Sequence, residues 1–321
     1  MLRRLGAVGT AVAAVLALTA APAAAAVPCV PGAASPACQV WTGKVAWVPD
    51  GDTPMIDVYG DGTGKPEPIR LIGVQAMEQT VYHPTVAKRR GECHALAATA
   101  RVEQLVKAGG GIVRLTAQHA SSHSDVRARP LRSVAVKIGG QWHDIGLDLI
   151  RNGYAMWQPI PVEWAWNQAY RAAAQQAARE GRNMYDVDAC GVGPHQQAKV
   201  SLQVSYDPAG TDAQNLNGEW FRVADASGLA LPIGGWWVRD SGLRRYTFPA
   251  GTVVPANGAV YVHVGKGTAT ATHRYWGLAA PVFANPTFDA MALGDGGYLF
   301  DPKGDLRAWN LYPCVVGCTA P

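Results

Sequence analysis

Apolar and polar positions alternate with two different rhythms along the chain, and the change falls near Cys190. Before it, Val40 to Val48, Pro54 to Tyr59 and Pro68 to Val74 read as strands, separated by Gly, Asp and Pro turns. Ala95, Ala98, Val102, Leu105 and Val106 then recur at helical spacing up to Gly109. Ile112 to Leu115 and Ser133 to Ile138 are two more strands, and Leu147 to Asn152 is a short helix closed by Gly153. Trp166, Ala169, Tyr170, Ala173 and Ala177 trace one face of a further helix, closed by Gly181. Three strands, a helix, two strands and then helices suit an α+β unit built on a five-stranded oligonucleotide-binding-type barrel (OB-fold).

"CGVGPHQQAK", from Cys190, has no periodicity and reads as a linker. Beyond it Val200, Leu202, Val204 and Tyr206 alternate. Strand-like runs come next near Glu219 to Ala224, Trp236 to Arg239, Ala259 to Val264 and Tyr298 to Phe300. This half predicts an all-β, immunoglobulin-like sandwich. The expected division is a signal peptide over 1–26, a loop over 27–40, the barrel unit over 41–190, a linker over 191–198 and the sandwich over 199–321. A cut near Gln196 is expected to leave a first half that folds and works alone.

The first residues carry a different message. Arg3 and Arg4, an apolar Ala/Leu run and "APAAAA" form a secretory signal, with cleavage expected after Ala26; a retained anchor is the alternative. A secreted, extracellular chain changes how its six cysteines are read, because cysteines outside the cell pair. Six allow fifteen pairings. Cys29 and Cys38 flank one small loop and Cys314 and Cys318 another, so each is expected to pair locally. Cys93–Cys190 is then left by elimination. Without Arg3 and Arg4, 26 of the 28 basic residues face 24 acidic ones, so the net charge near +2 gives little pull on a polyanion. The clusters Lys88-Arg89-Arg90 and Arg127-Ala128-Arg129 are either a phosphate-facing surface or a solvated one.

The stretch Asp50-Gly51-Asp52-Thr53, inside "VPDGDTPMIDVYG", is either a hairpin turn or a pair of carboxylates set to hold a metal. The motifs downstream decide between them. "IRLIGVQAMEQ" carries Arg70 and Glu78, "RARPLRSVAV" puts Arg132 at the head of a strand, and "LIRNGYA" and "EGRNMYD" come after. In this order the motifs resemble the staphylococcal nuclease (thermonuclease) family, from about Trp41 to Asp188. The resemblance implies a calcium-dependent nuclease acting on DNA, RNA or both. It implies Asp52, with Asp50 and Gln75, around Ca2+, and Arg70 and Arg132 as catalytic residues gripping the phosphate. Glu78 would be the general base. Four departures stand out: Gln75 replaces an acidic ligand, Met77 a proline, Ala174 a glutamate, and Pro130-Leu131 a Tyr-Gly pair, which leaves Arg129 as the rival of Arg132. They keep open a non-catalytic nucleic-acid- or surface-binding protein with a degenerate nuclease domain.

Weaker substrate-binding candidates are Arg129, Lys88 and Trp157, the last either stacking on a base or packing in the core. His83 and His94 flank the basic cluster, and His119 and His123 sit in the polar loop "QHASSHSD", where surface roles are expected. In the second half, "NGEWFRVAD", "IGGWWVRD", "YTFPAGT" and "MALGDGGYLF" resemble the lamin-tail domain, from about Lys199 to Tyr312. That resemblance implies the sandwich fold; docking or tethering of substrate is the expected role. Asp207, Asp212 and Asp240 are read as acidic edge loops rather than a second calcium site.

Overall fold

The computed structural model describes residues 27–30, 35–124 and 127–316. The expected signal over 1–26 and the partner half of Cys314–Cys318, Cys318, lie outside these residues. The chain is mostly β, with three α-helices among the described residues: α1 (Ala95–Ala108), α2 (Ile145–Arg151) and α3 (Asn167–Arg179). Among those residues no helix is long and apolar enough to cross a membrane.

A long strand, Ala37–Asp50, pairs with Thr53–Val58 on one side and Ile112–Ala117 on the other. Ile112–Ala117 pairs in turn with Arg129–Ile138. The sheet then closes through one short segment. Glu67–Pro68 pairs with Thr53–Val58, and the adjacent Arg70–Leu71 pairs in parallel with Arg129–Ile138. The backbone of this segment is held on both sides: Leu71 N–H donates to Asp52 O at 2.9 Å and Ile72 N–H to Arg132 O at 3.1 Å. The arrangement agrees in part with the oligonucleotide-binding-type barrel expected from the strand order.

The single strand expected over Pro68 to Val74 is broken. Gly73 takes φ +71°, and a Cβ there would stand 2.9 Å from the Tyr170 ring. Only glycine adopts this bend at so little cost. The chain resumes as Val74–Ala76, paired with Ala155–Trp157 rather than with the barrel. Ile56, Leu71, Val102, Leu115, Val134 and Leu149 fill the barrel core.

The second half forms two four-stranded sheets. Val200–Ser205, Trp220–Asp225, Ala259–His263 and His273–Tyr275 make one, and Arg245–Thr247, Trp237–Arg239, Asp295–Phe300 and Leu306–Tyr312 the other. Leu202, Phe221, Val238, Val260 and Leu299 pack between them. This is the expected sandwich. Several of its short strands lack clear alternation in sequence, Arg245–Thr247 and His273–Tyr275 among them.

No strand pairing joins the halves among the described residues, yet they share a core. Trp237, Tyr298, Phe300, Leu306 and Leu311 of the sandwich belong to the same buried cluster as the barrel side chains. Asn167, Arg171 and Gln175, one turn apart on α3, are all buried and donate to Met291 O, Leu293 O and Pro313 O at 2.9, 3.1 and 2.8 Å. Between described residues, the bridges Cys29–Cys38 and Cys93–Cys190 are formed. Residues 27–196 expressed alone are therefore expected to melt well below the full chain, or to aggregate, because these donors and the shared apolar faces lose their partners. Thermal denaturation of fragment and full chain checks this. The linker in the sequence does not make the halves independent.

Candidate active site

Asp50-Gly51-Asp52-Thr53 is both a turn and a site. Asp50 and Thr53 are paired across a two-residue turn, and all four residues are buried. Gly51 packs so closely on α1 that a Cβ would come within 2.7 Å of the Ala98 Cβ. The turn thus points inward, and the two carboxylates go with it.

A continuous polar network starts there. Asp52 Oδ1 accepts from Thr53 Oγ1 at 2.8 Å, and Oδ2 accepts from Ala76 N–H at 3.0 Å and pairs with Arg70 Nη1 at 2.5 Å. Arg70 Nη2 donates to Gln75 Oε1 at 2.6 Å, and Gln75 Nε2 donates to Glu78 Oε1 at 3.1 Å. Arg70 is carried by the closing segment of the barrel and Gln75 by the strand beyond the Gly73 bend, so the break in the strand brings the two together. Asp50 accepts from Gly51 N–H at 2.7 Å. Burial and the neighbouring charge of Asp52 push the Asp50 carboxyl up to about 7. Glu78 is also raised, by burial first and by Asp52 second, against the opposing pull of Arg70 and Arg239.

Arg132 lies outside this network. Its guanidinium donates to Leu131 O, Ala120 O and Ser122 O at 2.7, 2.8 and 3.2 Å, and it lies 4.4 Å from the Trp41 ring. It therefore builds the loop over 118–124 together with fully buried Glu163, which accepts from Gln118 N–H, His119 N–H and Ser122 Oγ. Arg129 is the one that reaches the turn: Nη1 donates to Thr53 Oγ1 at 3.1 Å. Strand geometry is the reason. Side chains alternate along a strand, so residues three apart face opposite ways, and only one of these arginines can share the face of Arg70.

The weaker candidates divide in the same manner. Trp157 is 1% exposed and packs in the core, with no face free for a base. Lys88 is exposed on the turn Val86–Lys88, whereas its neighbour Arg89 is buried against Glu103 at 2.6 Å. His119 and His123 are exposed. His94 sits 3.3 Å from Cys190 Sγ, and burial lowers its pKa to about 4. Two residues at the site gave no signal in the sequence: Glu92, whose Oε2 accepts from Glu78 N–H at 3.2 Å, and Arg239 of the sandwich, whose Nη1 lies 3.8 Å from Met77 Sδ.

The charge of Asp52 raises the proton affinity of both Asp50 and Glu78, and Gln75 adds an amide oxygen. An all-oxygen donor set with surplus negative charge fits a hard divalent cation. Both Asp52 and Gln75 present their oxygens to Arg70, so the arginine competes for them. What the geometry defines is a buried acidic cluster built around one arginine.

Residues 195–313 match the family model described as the Lamin Tail Domain, so the second half carries a lamin tail domain. No curated protein matches the chain. The match covers the sandwich alone, and no nuclease family model matches the first half.

Proposed function

We propose that the protein is a secreted, calcium-dependent nuclease that hydrolyses phosphodiester bonds of DNA, RNA or both, in an OB-type nuclease domain carrying a lamin-tail accessory domain. One observation supports this above the others: Asp52, Arg70, Gln75 and Glu78, set apart in the sequence, are joined in one chain of contacts. The planar guanidinium groups of Arg70 and Arg129 would grip the phosphate oxygens and stabilise the charge that builds up as water attacks phosphorus. Glu78, with its raised proton affinity, would take the proton from that water as the new P–O bond forms. A calcium ion held by Asp52, Gln75 and Asp50 would supply further positive charge to the phosphate. Asp50 would then give up its proton more readily than it does beside Asp52 alone.

Digestion of single- and double-stranded DNA and RNA by the chain from Val27 onward, with calcium or with excess chelator, tests the reading. Cleavage should require the ion. Gln75→Asp should lower the calcium concentration that gives half-maximal activity, because it adds a charged ligand; undiminished activity in excess chelator would remove this part of the mechanism. A second reading has one observation in its favour: Asp52 is already neutralised by Arg70 and Gln75 is uncharged, as suits a domain that grips phosphate without cutting it. Binding without cleavage in the same assay would select it.

A further inference from the structure

We propose that the lamin-tail half is a working part of the nuclease site: Arg245, through Glu92, and Arg239, against Met77, hold the segment that carries Glu78. The proposal rests on the reading of Glu78 as the general base. Glu78 lies just before the strand Gln79–Val81, which pairs with Arg90–Gly91 in a two-stranded sheet separate from the barrel. The barrel side anchors it through Gln79, whose Nε2 donates to Pro49 O and Thr99 Oγ1 at 2.7 and 2.6 Å. On its other side the supports come from, or lead to, the sandwich.

Glu92 contacts Glu78 twice, its N–H donating to Glu78 O at 2.9 Å and its Oε2 accepting from Glu78 N–H at 3.2 Å. The remaining carboxylate oxygen, Oε1, accepts from Arg245 Nη1 at 3.2 Å. Arg245 is itself aligned, 5.0 Å above the Trp237 ring, which stacks on Phe300 at 4.1 Å. The next residue after Glu92 is Cys93, bridged to Cys190, and Cys190 N–H donates to Asp305 Oδ1 of the sandwich at 2.7 Å. Arg239, 3% exposed, donates from Nε to Asp240 O at 3.1 Å and from Nη2 to Gly242 O, and its Nη1 reaches Met77 Sδ. Methionine at this position, where the nuclease pattern has proline, provides a soft sulfur against which the guanidinium rests. The departure at Met77 is thus the footprint of the second domain.

These are positioning residues, and their effect on Glu78 can be read without any catalysis. In the full chain, Glu92→Ala removes the acceptor of the Glu78 N–H. Amide hydrogen exchange at Glu78 is then expected to quicken about tenfold, the scale of one hydrogen bond. Arg245→Ala removes an exposed ion pair and should quicken it by about two- to fivefold, with Arg245→Lys restoring most of the loss. The same variants should lower kcat for oligonucleotide cleavage in that order while KM stays within about twofold of wild type. Unchanged exchange at Glu78 in both alanine variants would overturn the proposal. So would a uniform rise in exchange across the chain, which would mean general destabilisation. If the wild-type chain does not cleave, the general-base reading fails, and the exchange data still decide whether the sandwich holds the segment.

Discussion

Cleavage by Glu78→Gln is expected to fall by about a hundredfold to ten-thousandfold, the usual cost of losing a general base. Oligonucleotide binding should stay near wild type. Glutamine keeps the shape of the side chain and an oxygen for the Gln75 amide, which in the native chain donates to Glu78 Oε1. It cannot take a proton from water. Because Glu78 feels the charge of Asp52, calcium affinity has to be measured beside kcat, by titration calorimetry on both proteins. A deep loss of kcat with calcium binding intact is the result that supports catalysis. Equal activity in the two proteins would leave the domain with a binding role.

The paired arginines give the second large effect, and the two should fail in different ways. Arg129→Ala is expected to cost roughly a hundred- to a thousandfold in kcat, as loss of a donor to the transition state does, with little change in melting temperature. Arg129 is half-buried and donates to the Thr53 hydroxyl, which keeps Asp52 as a partner when the guanidinium is gone. Arg132→Ala removes the guanidinium donor to the carbonyl oxygens of Ala120, Ser122 and Leu131, leaving Ser122 O with only the Leu131 N–H, and uncovers the Trp41 ring. Roughly 2–4 kcal/mol of stability should go with them, or about 5–10 °C in Tm. Thermal melts and single-turnover cleavage, run on both variants, separate the roles. Should Arg132→Ala prove stable and inactive instead, the assignment of Arg129 would be wrong.

Most elements of the barrel half were legible because their signals are local. Glycine closes α1 at Gly109 and turns the chain after α2 at Gly153, and apolar spacing marks α1 and α3. The choice between Arg129 and Arg132 was not legible, since Pro130-Leu131 blurs the motif and only the pairing of Leu131 with Arg70 fixes which face each arginine takes. Sequence spacing names candidates; register selects among them. The contributions of Glu92 and Arg239 were hidden for another reason. Arg239 meets Met77 from 162 positions further along the chain, a contact set by how two folded halves meet. Buried Trp157 and Arg89 show the same limit in reverse, because an aromatic or a basic residue reads alike whether it lines a surface or a core.

The row of polar side chains on α3 also sets a timetable for the newborn chain. Asn167, Arg171 and Gln175 find their partners 116 to 141 residues later in the sequence. A ribosome adding about 5–20 residues per second needs roughly 6–30 s to cover that distance. Through that interval the helix waits with its polar face unanswered, and the barrel cannot settle into its final packing. Maturation of the first half is therefore coupled to completion of the second, and a chain released early would present that unanswered face to chaperones or proteases.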